Sequence, residues 1–172
     1  MRYLQPDIAL TAIEAAPAPS LEAEVTTLFE LYRGPLFRFM LSVGLSAADA
    51  EETIQEVFLA LFKHLRAGKP RNNLRGWLFQ VGHNRALKVR QRRPAPMLAL
   101  PSPRTPEQQA IESQMRRRVT AVIQALPELD RACIALRAEG LRYREIASIL
   151  DISPGGVALA LERALIRIGN AR

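Results

Sequence analysis

The sequence has little of what staples, chelates or embeds a protein. Among its 172 residues there is one cysteine, Cys133. It cannot form an internal disulfide, which excludes a disulfide-stapled secreted fold. Two histidines, His64 and His83, and that one cysteine cannot build an ordinary His/Cys zinc site. No run approaches the roughly 18–20 apolar residues that span a bilayer, so membrane insertion is not expected. The first twenty residues are broken by Pro6, Asp7 and Glu14 and lack the apolar core of a signal peptide, which predicts a cytoplasmic protein. No Gly-rich phosphate loop, Cys/His pair or Ser/His/Asp set is present, so neither an enzyme nor a cofactor is implied. Strand-type alternation and internal repeats are absent as well.

Charge is present, but it is unevenly distributed. The net is +7, from 24 Lys+Arg against 17 Asp+Glu. Residues 1–62 are acidic on balance, whereas residues 63–93 carry ten basic residues and no acid. Such a block fits an acidic partner, either a phosphate backbone or an acidic protein surface. Its bland alternative is a solvated helix face. Trp77 and Phe79 lie inside the block, and cations beside aromatics suit the stacking of unpaired bases. Trp77 also reads as a core anchor.

Proline divides the chain. Residues 94–106 hold five prolines, each lacking a backbone donor, and must be extended or irregular. Residues 1–20, rich in Ala and Pro, read as a flexible tail. Two small helical modules remain, at about 21–93 and 107–172, each with a modest core. In the first, a stripe from Leu28 to Val43 predicts a helix that Gly34-Pro35 should kink or break. Ser46 caps the next helix, with Asp49 completing a capping pattern. Ala50, Ile54, Val57, Phe58, Leu61, Phe62 and Leu65 share one of its faces, and Asp49, Glu52 and Glu56 another. Gly68 and Pro70 end it. A third helix runs from about Asn73 to Arg93, with Leu74, Trp77, Leu78 and Val81 on one side. His64 and His83 read as structural or surface residues, and Cys133 as a small core residue.

In the second module, Ile111, Met115, Val119, Val122 and Leu126 form a helical stripe stopped by Pro127. A short helix follows at about 128–138 and ends at Gly140. Residues 143–168 have helix-turn-helix grammar. Ile146, Leu150, Ile152, Val157 and Leu161 are apolar where the helices must meet, and Ala147 is small where they cross. Asp151 takes the turn position that favours a left-handed backbone, and Ser153 caps the second helix. An ordinary helical hairpin is the alternative.

Three segments carry a resemblance. DAEETIQEVFLALFKHL at 49–65, NLRGWLFQVGHNRALKVRQRR at 73–93 and ALPELDRACIALRAEGLRYREIASILDISPGGVALALERAL at 125–165 resemble the extracytoplasmic-function (ECF, group 4) sigma factors of bacterial RNA polymerase. The resemblance implies an all-α protein of two modules joined by the Pro-rich linker. Residues 21–93 would be a region 2-like module for core polymerase and the minus-ten element. Residues 107–172 would be a region 4-like helix-turn-helix module for the minus-thirty-five element, and the linker would pass through the RNA exit path. By matching positions, Asp49, Glu52, Gln55 and Glu56 would face the clamp of the polymerase largest subunit. The loop at 68–72 would grip a flipped base. Lys69, Arg71, Asn72, Arg75, Trp77, Asn84, Arg85, Lys88 and Arg92 would lie near the melted minus-ten strand or the core beneath it. Arg142, Arg144, Ser153, Gly155, Gly156, Leu159, Arg163 and Arg167 would meet the minus-thirty-five element. The implied partners are core RNA polymerase, promoter DNA and an anti-sigma factor.

Two departures stand out. Lys88 replaces an acidic residue usual in the family. The reading helix carries Ala158, Leu159, Ala160 and Glu162 where polar or basic residues are usual, with Leu159 and Ile166 on the DNA side. Such a helix makes few base-edge hydrogen bonds. A stand-alone helix-turn-helix regulator and a protein-binding module are therefore the rival expectations.

Overall fold

The structure is a computed structural model and describes residues 20–92, 121–123 and 125–170. The expected tail, the Pro-rich linker and most of the stripe from Ile111 to Leu126 lie outside the described residues. Six helices carry the fold: α1 (Leu21–Ser42), α2 (Ala47–Arg66), α3 (Leu74–Arg92), α4 (Glu128–Ala138), α5 (Tyr143–Leu150) and α6 (Pro154–Gly169). Residues 121–123 and 125 are also helical, and no strand occurs among the described residues.

Helix α1 starts at Ser20, whose hydroxyl accepts the Ala23 N–H at 3.2 Å. Of the expected kink or break at Gly34-Pro35 the break does not occur: Pro35 lies inside a continuous helix. The reason is tertiary. Leu36, Phe39 and Met40, just past the proline, are fully buried, and Leu28, Phe29 and Tyr32, just before it, pack on the same core. Anchored on both sides, the helix tolerates one missing hydrogen bond, whose freed acceptor belongs to the exposed Leu31.

Helix α2 begins as its capping residues dictate. The Ser46 hydroxyl accepts the Asp49 N–H at 3.1 Å and donates to the Asp49 carboxylate at 2.6 Å. Ala50, Ile54, Val57, Phe58, Leu61 and Leu65 are buried, and Phe62 is half-buried. Its C-terminus closes as a Schellman turn. The Lys69 N–H donates to the His64 carbonyl, the Gly68 N–H donates to the Leu65 carbonyl, and Gly68 has φ 67°.

The buried face of α3 differs from expectation. Leu78, Phe79 and Ala86 are buried, while Trp77 and Val81 are only half-buried. Phe79 is fully buried and meets the Phe39 ring edge-on at 5.6 Å, so it is a core residue and offers no surface for stacking a base.

In the second module, α5 and α6 meet as the apolar positions require. Ile146, Ala147, Leu150, Val157 and Leu161 are buried, and Asp151 holds the left-handed turn at φ 54°, ψ 48°. The Ser153 hydroxyl accepts the Gly156 N–H at 3.0 Å. Cys133 is fully buried, and burial reinforced by nearby Asp130 pushes its thiol up to about 11.

The two modules do not keep separate cores. Helix α4 packs on α1, α5 packs on α3, and the buried apolar residues of both modules form one cluster. Glu139 stands at this junction. Its carboxylate accepts two guanidinium N–H bonds from Arg38 at 2.8 and 2.9 Å, and its carbonyl accepts one from Arg75. Arg90 pairs with Glu128 across the same junction.

Candidate nucleic-acid and polymerase interface

The acidic and basic rows read from the sequence stand side by side. A groove of about 500 Å³ between α2 and α3 is lined by Asp49, Glu52 and Glu56 on one wall and by Asn84, Arg85, Lys88 and Arg92 on the other. Helical spacing explains both walls: residues three and four apart share a face, so one face of α2 is anionic and the facing edge of α3 is cationic. Glu52, Gln55 and Glu56 are exposed, while Asp49 is half-buried beneath its cap. Arg85 pairs with Glu56 across the groove, which places one expected polymerase contact and one expected DNA contact in a single ion pair.

The other expected minus-ten residues surround the loop between α2 and α3. Lys69, Arg71 and Asn72 are exposed. Arg71 reaches back to Glu24 on α1 at 3.1 Å. Asn73 adopts φ 56° and its side-chain oxygen accepts the Gly76 N–H at 3.1 Å, capping α3. Trp77, half-buried in the next turn, has its ring centroid 4.7 Å from that of His64. Arg75 is the exception: it turns towards the second module and bonds the Glu139 carbonyl.

In the second module the expected residues divide by what they already touch. Arg142, Arg144, Gly155 and Arg167 are exposed. The Arg142 backbone N–H donates to Glu145 at 2.7 Å, and Ser153 spends its hydroxyl on the Gly156 cap. Arg163 donates to the fully buried carboxylate of Asp130 at 2.6 and 3.2 Å, and this bond raises its guanidinium pKa further. Ala160 is fully buried and leaves the outer surface of α6 to its neighbours. That surface carries three large apolar side chains, with Leu159, Leu165 and Ile166 57%, 64% and 56% exposed, beside the exposed Glu162 and Arg163.

Sequence reasoning missed the carboxylates that hold the basic residues. Glu24, Glu128, Glu139 and Asp130 come from elements remote in sequence, and no local spacing announces them. It read His64 only as a structural or surface residue and did not foresee that its ring bonds the loop at Pro70 (3.0 Å). The one local signal for that contact was its place in the last turn of α2, six residues before the proline.

The comparisons agree with this architecture. The family model described as Sigma-70 region 2 matches residues 28–94, and that described as Sigma-70, region 4 matches residues 116–168. The chain is 30% identical over 148 residues to the ECF RNA polymerase sigma-E factor of Haemophilus influenzae, covering 76% of this chain and 78% of the relative. It is 24% identical over 151 residues to the ECF RNA polymerase sigma factor SigM of Bacillus subtilis, covering 84% and 92%. Among solved structures, it resembles RpoE bound to the anti-sigma factor NepR from Bartonella quintana with a TM-score of 0.68 at 18% identity, covering 86% of this chain and 96% of that one. CnrH in complex with the cytosolic domain of CnrY gives a TM-score of 0.64 at 22% identity, covering 87% of each. At such identities the structural likeness concerns the fold.

Proposed function

The chain belongs to the extracytoplasmic-function sigma factors of the sigma-70 family, and from that premise we propose how its surfaces divide the work of initiation. It binds core RNA polymerase, directs it to promoters and opens them, as a cytoplasmic initiation subunit rather than an enzyme. Residues 21–93 serve as the region 2-like module and 107–172 as the region 4-like module, joined by 94–106. The single observation that carries the assignment is the charge segregation in one groove: an exposed anionic face on α2 beside a cationic edge on α3. An anionic face suits a basic protein surface, and an acid-free cationic edge suits a phosphate backbone.

Asp49, Glu52, Gln55 and Glu56 thus dock on the polymerase clamp. Lys69, Arg71, Asn72, Asn84, Arg85, Lys88 and Arg92 hold the minus-ten strand, with Trp77 beside the unstacked base. Extruding a base costs a few kcal/mol, which stacking and cationic contacts must offset. Arg75 joins them once it is released from Glu139. Arg142, Arg144 and Arg167 contact minus-thirty-five phosphates, while Ser153, Gly155 and Gly156 present the N-terminus of α6 to one. Arg163 positions α6 through Asp130.

Reconstitution with core polymerase on linear DNA, followed by mapping of the transcript start, tests this reading. Glu52→Lys with Glu56→Lys is expected to weaken core binding about tenfold while the helical circular dichroism stays unchanged. Unaltered core affinity refutes the clamp assignment. Wild-type protein that neither binds core nor starts transcription refutes the whole reading.

The exposed Leu159, Leu165 and Ile166 favour a second reading for the outer face of α6. Such a surface fits an apolar protein partner, for which an anti-sigma factor is the candidate, better than it fits base edges.

A further inference from the structure

His64 is the one imidazole that touches the candidate strand-binding loop. From the last turn of α2 it makes two contacts with the loop and one with Trp77 on α3. Its backbone carbonyl accepts the Lys69 N–H at 3.3 Å, closing the Schellman turn. Its ring nitrogen Nε2 lies 3.0 Å from the Pro70 carbonyl, so the Nε2–H tautomer donates there. The ring also packs on the Trp77 indole at 4.7 Å between centroids, tilted by 44°. The loop residues that follow, Arg71 and Asn72, are exposed.

We infer that His64 is a positioning residue for strand capture, fixing the 69–72 backbone against Trp77 so that the loop's cations and the indole meet the melted strand together. This rests on the sigma-factor reading above and extends it to a residue outside the polymerase-facing and cationic rows. The physical argument concerns pre-ordering. A free loop must give up conformational freedom when it binds, a cost that a loop already held in place does not meet again. Proline has no N–H of its own, so the Pro70 peptide can anchor only through its carbonyl. His64 provides that anchor. Because one ring serves both contacts, the loop and the indole move as a unit.

The two contacts separate by substitution. His64→Phe keeps a ring against Trp77 and removes the donor. His64→Gln keeps an N–H donor and removes the ring, and His64→Ala removes both. The readouts are core polymerase affinity, thermal melting, amide hydrogen exchange over 69–72, and permanganate reactivity of thymines upstream of the mapped start. His64→Phe is expected to bind core like wild type, to exchange the loop amides faster and to lower thymine reactivity about three- to tenfold, as loss of one hydrogen bond implies. His64→Gln should recover at least half of the wild-type reactivity, and His64→Ala should be the weakest of the three.

Wild-type reactivity in His64→Phe overturns the proposal. So does a loss in all three variants that only follows their melting temperatures, since that is a purely structural role. Wild-type protein that binds core without opening the promoter overturns this inference together with the strand-binding assignment. Failure to bind core is instead the refutation of the sigma-factor reading, and unchanged loop exchange in His64→Phe would then overturn the anchor separately.

Discussion

Gly76 and Asn73 provide a quantitative test of how α3 is started. A Cβ built on Gly76 would lie 2.5 Å from Asn73 Nδ2 and 2.9 Å from Oδ1, and the three nearest atoms all belong to that amide. Elsewhere in a helix, Gly→Ala stabilises by up to about 1 kcal/mol. Here the methyl evicts the amide that accepts the Gly76 N–H, and a lost N-cap costs about 1 kcal/mol, within a range of about 0.5–2. The two effects oppose, so Gly76→Ala alone is expected to change stability by less than about 0.5 kcal/mol or to destabilise. Asn73→Gly removes the amide while accommodating the φ of 56° without a Cβ. In that background the three atoms nearest the added methyl are gone, and Gly76→Ala should stabilise by up to about 1 kcal/mol, a rise of about 2–4 °C in Tm for a chain of this size. The coupling between the two sites is therefore about 1 kcal/mol, measurable by urea unfolding of the four proteins of the cycle. Additivity within about 0.3–0.5 kcal/mol would show that the amide is not what Gly76 makes room for.

Two further outcomes are expected. Burial holds His83 below the ordinary imidazole range, with Arg90 adding to the effect and Glu128 opposing it, and its Nδ1 has no hydrogen-bond partner among the described residues. The unfolded chain then binds the proton more readily than the folded one, so this stabilisation is complete above the unfolded value of about 6.5 and is lost as the pH falls from there towards the folded pKa. Urea midpoints at pH 8 and pH 5.5 should differ less in His83→Gln than in wild type, and an equal difference would refute the assignment. Leu159→Arg places a cation on the exposed outer face of α6; if that face lies against duplex DNA, the log–log salt slope of binding should steepen by about 0.9. An unchanged slope would place the DNA elsewhere and strengthen the protein-partner reading.

Helix positions were legible because their signals are local. Ser46, Ser153 and Asp151 each act on neighbours within a few residues, and all three take the conformations their chemistry favours. Pro35 does not break its helix because its local cost is offset by burial of Phe39 and Met40 against other helices, which no window around the proline contains. Phe79 misled for the opposite reason: its basic neighbours suggested a nucleic-acid face, whereas its period with Leu78, Gly82 and Ala86 points inward. At the candidate site the cationic row was readable and its restraints were not. Arg71 and Glu24 are a pair separated by 47 residues, and Arg163 and Asp130 by 33. Such partners follow from the tertiary arrangement and carry no signature of spacing.

The continuity of the core across both modules bears on reach. Promoter elements centred about 25 base pairs apart are separated by about 85 Å of straight duplex at 3.4 Å per pair. A compact chain of this length is only about 40 Å across. With α4 against α1 and α5 against α3, a chain that reads one element with each module, as proposed above, is too short to touch both at once. Spanning them means parting the halves at Glu139, which uncovers oily surface that water disfavours. Under that proposal an extended form would need a scaffold that covers what the parting exposes, and the polymerase the chain is proposed to bind is the natural one.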